Sequence, residues 1–192
     1  MKNILIINGH PDRESFCSEL ALSYKKGADI SSNQVTLVHL CETDFSMNLT
    51  HGYRQRTELE PDLLKIIEAI KAAQHIVFVY PNWWGTYPAL LKGFIDRVFL
   101  PGIAFTSRPD SVFWDKLLIG KTARLIVTMD TPKWYYFLIF RSPGHNAMKK
   151  SVLEFCGIRP VKTTTLTPIK RSTLEQRNKW LKNVEELGIS LN

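Results

Sequence analysis

A chain of 192 residues, 44% hydrophobic and 22% charged with a net charge of +7, has the make-up of one folded domain with a real core, which excludes an intrinsically disordered protein. No apolar run approaches the roughly 20 residues of a membrane span, and the opening Met1-Lys-Asn-Ile-Leu-Ile-Ile-Asn-Gly block is too short for a signal peptide. Three scattered cysteines (Cys17, Cys41, Cys156) and five histidines without ligand spacing exclude a disulfide framework and a metal cage, and point to a reducing cytoplasm.

Ile4-Leu-Ile-Ile7 is a continuous apolar run, as expected of a strand buried on both faces. Asn8 to Glu14 is turn chemistry, and Ser15 is the expected cap of a helix with Phe16, Leu20, Tyr24 and Ala28 on one stripe. A more polar second strand over 34–40 belongs near a sheet edge, and the segment 41–57 has no period. Thr57 or Glu60 opens a helix with Pro61 in its first turn and Leu63, Leu64, Ile66, Ile67 and Ile70 as its buried face. The third strand runs from His75 to Tyr80 and ends at Pro81-Asn82-Trp83-Trp84-Gly85. The next helix starts near Pro88, with Leu90, Leu91, Phe94, Ile95 and Val98 inward. A long connection (100–120) leads to a fourth strand over 123–129, and an aromatic loop over 130–144 follows. A helix then runs from His145 or Asn146 to Cys156 and stops at Gly157. Residues 160–166 form the fifth strand, and Ser172-Thr-Leu-Glu175 reads as a capping box for a last helix reaching about Leu187.

Five alternations of strand and helix, without repeats or linkers, predict a single α/β domain over 1–192. Its expected form is a three-layer, doubly wound parallel sheet of flavodoxin-like order 2-1-3-4-5. The switch point of that order lies between the first and third strands. The loops Gly9 to Glu14 and Pro81 to Tyr87 therefore meet at the crevice, and two adjacent indoles stand at its mouth.

Several α/β functions lack their motifs here: there is no G-x-G-x-x-G after the first strand, no G-x-x-x-x-G-K-[ST] and no G-x-S-x-G. The charge is uneven, 15 Lys/Arg against 14 Asp/Glu over 1–140 and 10 against 4 over 141–192. The basic residues are not interleaved with stacking aromatics, which disfavours nucleic acid. His10 and Ser15-Phe16-Cys17 at a helix start offer a phosphate site. Trp83, Trp84 and Tyr87 wall the neighbouring pocket, and Thr128, Met129 and Asp130 close its far side. A flat, redox-active ring with a phosphate tail, a flavin, fits this arrangement.

Gly9-His-Pro-Asp-Arg-Glu-Ser-Phe16, Tyr80-Pro-Asn-Trp-Trp-Gly85 and Pro88-Ala-Leu-Leu-Lys-Gly-Phe-Ile-Asp-Arg-Val-Phe99, with Phe105-Thr106 and Phe155-Cys-Gly-Ile158, resemble the NAD(P)H:quinone oxidoreductase family of flavodoxin-like flavoproteins, bacterial branch included. The resemblance implies that His10, Ser15, Phe16 and Cys17 hold the flavin phosphates. Pro81, Asn82, Trp83, Trp84 and Gly85 supply backbone bonds and an aromatic wall, and Thr128, Met129 and Asp130 line the pyrimidine side. It gives Tyr136 the place of a catalytic tyrosine, with Tyr135 one residue away. His145 falls a few residues late for the histidine partner, and Asp130-Thr-Pro132 replaces a pair of glycines. Trp84, Phe105 and Tyr136 form the acceptor pocket. FAD is the implied cofactor, with FMN as the alternative, and NADH or NADPH is the co-substrate.

The implied chemistry is a ping-pong transfer of hydride from NAD(P)H, through the flavin, to a quinone or similar acceptor in a cytoplasmic homodimer with shared sites and no membrane insertion. Two rival roles belong to related proteins of this fold: an ancillary subunit of a potassium efflux system and a flavodoxin-type electron carrier. The basic charge disfavours the carrier.

Overall fold

The computed structural model describes residues 1–52 and 54–191. Five parallel strands form the central sheet: β1 (Asn3–Asn8), β2 (Gln34–His39), β3 (His75–Pro81), β6 (Thr122–Thr128) and β7 (Val161–Leu166). Their order is β2-β1-β3-β6-β7, the expected 2-1-3-4-5 arrangement counted over the sheet's own strands. The other two strands, β4 (Phe105–Ser107) and β5 (Trp114–Lys116), pair antiparallel as a hairpin within the long connection. Sequence periodicity cannot announce strands of three residues.

Side chains alternate across the sheet with period two. Ile4, Ile6, Val77, Val79 and Ile126 face α1 (Phe16–Ile30) and α6 (Leu174–Ser190). Leu5, Ile7, Ile76, Phe78, Tyr80, Leu125 and Val127 face α2 (Pro61–Ala72), α3 (Ala89–Val98) and a π-helical stretch Ala147–Glu154 that continues α5 (Pro143–Asn146). Gly27 and Gly188 let α1 and α6 touch backbone to backbone: a Cβ on Gly27 would lie 1.9 Å from the Glu185 carbonyl oxygen.

Three local expectations are corrected and one alternative is decided. Leu64 points outward, because the buried stripe of α2 is Leu63, Ile66, Ile67 and Ile70. Of the two expected starts of that helix, Thr57 and Glu60, it is Glu60 that precedes the first turn. Thr173 rather than Ser172 caps α6, its Oγ1 accepting the Gln176 N–H at 3.2 Å, while Ser172 Oγ donates to Ile169 O. The aromatic loop contains a helix, α4 (Lys133–Leu138), which after its first residue is apolar on all sides and so carries no amphipathic signal.

Candidate active site

The first loop is built around Asn8, the fully buried last residue of β1. Its Nδ2 donates to Ser18 Oγ at 2.9 Å and lies 3.0 Å from His39 Nδ1, while its Oδ1 accepts the His10 N–H at 3.1 Å. One amide thus ties strand end, helix and loop together. His10 Nδ1 lies 2.9 Å from the Asp12 nitrogen and 3.2 Å from the Asp12 carbonyl oxygen, which fixes the ring against the loop, and burial holds this histidine below its ordinary pKa. At the start of α1, Ser18 and Glu19 donate back to Ser15 O, but the N–H groups of Phe16 and Cys17 take no partner among the described residues. They are unspent donors at the positive end of a 15-residue helix. Cys17 is a packing group: its Sγ lies 3.4 Å from Thr128 Oγ1, and burial pushes the thiol up to about 12.

The segment after β3 is a two-residue hairpin turn. Trp83 and Thr86 exchange backbone bonds at 2.8 and 3.0 Å around Trp84 and Gly85. Both central residues have positive φ, +51° and +81°, the sign pattern of a type I′ turn. Glycine adopts this backbone freely and tryptophan does not, so the turn is strained at Trp84. Tyr136 of α4 holds it, its hydroxyl donating to Gly85 O at 3.1 Å and accepting the Gly144 N–H at 3.0 Å. The indole of Trp84 is thrown wholly into solvent, whereas Trp83 lies edge-on to His10 with ring centroids 5.4 Å apart.

Between these two structures lies a cleft of about 290 Å³ at the carboxyl ends of β1, β3 and β6. His10, Ser15, Phe16, Cys17, Pro81, Asn82, Trp83, Thr128, Met129 and Asp130 all line it, joined by Asp12 and Ile169, which the sequence did not single out. Gly85 and Trp84 stand on the turn beside it. Asp130 reaches across rather than inward: its Oδ1 accepts the Lys170 N–H at 2.7 Å, and this pins the loop that carries Ile169.

A family model described as the flavodoxin-like fold matches residues 2–187. The chain belongs to that flavodoxin-like family. A Haemophilus influenzae protein named as an NAD(P)H oxidoreductase is 30% identical over 166 residues, covering 83% of this chain and 80% of its own. The human ribosyldihydronicotinamide dehydrogenase (quinone) is 35% identical over 125 residues, or 60% of this chain and 51% of that relative, so the chain matches about half of its length. Among solved structures, Smu.1420 of Streptococcus mutans superposes with a TM-score of 0.82 at 31% identity, covering 97% of this chain and 98% of that one. An FMN-dependent NADH-azoreductase of Bacillus anthracis in complex with FMN has a TM-score of 0.71 at 20% identity, covering 100% and 99%, a likeness of fold. The resemblance to the NAD(P)H:quinone oxidoreductases read from the sequence is borne out.

Within this flavodoxin-like chain the expected acceptor-pocket residues do not meet. Trp84 is in solvent, Tyr136 is buried beneath the turn, and Phe105 on β4 packs edge-on against Phe155 at 5.1 Å. Tyr136 and His145 form no hydrogen-bonded relay. Their rings are edge-on at 5.0 Å, and His145 Nε2 lies 3.2 Å from Thr165 Oγ1 instead. The hydroxyl of Tyr136 is spent on the chain itself, and burial raises its pKa.

His145 and His75 share one electrostatic consequence. Burial pulls both from the ordinary 6.5 to about 4, helped at His75 by Arg124, Lys2 and Lys162. The unfolded chain accepts these protons near 6.5 while the native state refuses them until about 4. The stabilisation is therefore complete above the unfolded value and drains away as pH falls towards the folded one. Urea midpoints are expected to drop steadily over that interval, and a midpoint that stays level would show the two histidines to be inert.

Proposed function

We propose that this chain is a flavin-dependent NAD(P)H oxidoreductase that delivers two electrons to a quinone or similar acceptor. One observation carries the reading: the switch-point cleft joins unspent phosphate-type donors on the first loop to an aromatic wall on the turn after β3. The donor set fits a flavin phosphate. The free N–H groups of Phe16 and Cys17, the Ser15 hydroxyl and the His10 ring lie around the positive end of α1. Pro81 and Trp83 would wall the ring, and Asn82, Thr128 and Met129 of the cleft, with Gly85 on the turn, would line its edges.

When bound, a flavin supplies a ring that takes up hydride and returns the electron pair, with NAD(P)H and a proton together converting a quinone to its hydroquinone. The residues of this chain would hold that ring against the aromatic wall, and donor and acceptor would use one site in turn, the ping-pong order. Tyr136 acts through the turn it clamps and is a positioning residue. FAD is our choice over FMN because the first loop is like that of the FAD-binding quinone reductases. We further read the protein as a cytoplasmic homodimer, in which the β4–β5 hairpin, with Phe105, Val112 and Phe113, faces the cleft of the partner.

Purified protein is expected to be yellow, to bleach anaerobically on addition of NADPH or NADH, and to recover its colour with menadione. The mass of the heat-released cofactor separates FAD from FMN. A colourless protein that takes up neither flavin overturns the reading, and one that NAD(P)H reduces only through a partner reductase would be a carrier instead. Trp84→Ala should leave thermal stability within about 0.5 kcal/mol, since the indole touches no core. The same change should lower kcat/KM for the acceptor roughly 5-fold, the worth of one aromatic contact. Equal losses of stability and turnover would assign Trp84 to packing.

A further inference from the structure

Between Lys133 and Arg141 lie seven consecutive apolar residues, Trp134-Tyr-Tyr-Phe-Leu-Ile-Phe140. Only Tyr136 among them is buried, and Leu138 is 71% exposed. A helix that after its first residue is apolar on every side belongs in an apolar surrounding, and this chain covers α4 on one side alone. The Tyr136–Gly85 bond ties α4 to the turn that carries Trp84, whose indole is likewise fully exposed.

The patch carries a collar of positive charge. Lys133 Nζ lies 5.9 Å from the Phe137 ring, and Phe137 stacks on His145 at 5.6 Å. Both rings line an adjoining groove of about 800 Å³ with Arg141, Lys149, Lys162 and Arg124, and no carboxylate is among its lining residues. Residues 131–153 contain no Asp or Glu at all.

We propose that this face docks peripherally on an anionic phospholipid bilayer. The α4 aromatics and Trp84 enter the interfacial layer, where such side chains are favoured, and the headgroup phosphates lie against the basic groove. The same face of a second copy would bring no acidic residue to meet the basic groove, since residues 131–153 carry none and no carboxylate lines it. The docking is superficial: among the described residues no helix is long and apolar enough to cross a membrane. Trp84 stands on the turn that walls the cleft, so docking brings the cleft to the lipid. On the oxidoreductase reading, and only there, this makes the acceptor a lipid-dissolved quinone.

Co-sedimentation of the full chain with vesicles of phosphatidylglycerol and phosphatidylcholine, against phosphatidylcholine alone, tests the proposal. Binding to the anionic vesicles is expected, with a blue shift of tryptophan emission and weakening as salt is raised. The double variant Leu138→Asp, Phe140→Asp should bind at least about 10-fold more weakly. Arg141→Glu and Lys162→Glu should each cost about 5-fold or more. All four positions are exposed, so unchanged melting temperatures separate docking from folding.

No binding to anionic vesicles, or equal and salt-insensitive binding to both kinds, overturns the proposal. So does a dimer that the double variant splits while the parent ignores vesicles. None of these readouts uses NAD(P)H or an acceptor, so failure here leaves the oxidoreductase reading standing, and a colourless protein that still binds vesicles would fail that reading alone.

Discussion

Gly144→Val is expected to cut turnover by about 100-fold or more while leaving the sheet intact, because a displacement of about 1 Å at a positioned site has that cost. A Cβ at Gly144 would lie 2.6 Å from Gly85 O, 2.9 Å from Thr86 Cα and 3.1 Å from the Tyr136 hydroxyl. Two of these three are backbone atoms of the turn that walls the cleft, and they can yield only if the turn moves outward. The Tyr136 hydroxyl that accepts the Gly144 N–H would be displaced with them. Flavin affinity and kcat/KM should fall together, with far-ultraviolet circular dichroism unchanged. Tyr136→Phe removes the same clamp without adding bulk and should lose about 10-fold, the upper end of what one neutral hydrogen bond contributes. Parent-like turnover in Gly144→Val would mean that the position of the turn does not matter for activity.

Arg97→Ala should produce the largest stability loss, about 3–5 kcal/mol, the usual cost of breaking a buried ion pair from one side. The guanidinium is fully buried in α3 and donates to Ser46 O at 2.7 Å, to Glu58 O at 2.6 Å, and to both carboxylate oxygens of Glu60 at 3.1 and 2.7 Å. It therefore fastens the irregular segment before α2 to the helix that follows the candidate site. Desolvation raises the Glu60 pKa, but bonds from the Ser46 and Glu60 N–H groups and from Arg97 outweigh it and hold the carboxyl below its usual value. That contribution is present above the ordinary carboxylate range and disappears as pH falls through the folded value. Urea denaturation near neutrality should show the loss, and a change below about 1 kcal/mol would mean that the segment is held by other contacts.

Where a residue's role depends on its neighbours in sequence, the chain was readable. Ile4 to Ile7 and His75 to Tyr80 are unbroken apolar runs because both faces of a central strand are buried, and Pro61 sits where a missing N–H costs nothing. Their alternation with helices implies the parallel sheet. The sheet order brings the first loop to the turn after β3, and ten of the residues expected to hold a cofactor do line one cleft.

Other roles were invisible because they are made by contacts between distant residues. Asn8 reads as a turn residue but organises Ser18 and His39 from the end of β1. Tyr136 reads as a catalytic hydroxyl, yet that hydroxyl is consumed by Gly85 and Gly144, and the α4 helix it belongs to shows no period. Local pattern determined which segments are strands and helices and hence which loops meet, since periodicity and turn chemistry act over a few residues. Only the tertiary structure decided which of those polar groups are already spent on the chain and which remain free, because a hydrogen bond is assigned by three-dimensional proximity and not by spacing along the sequence.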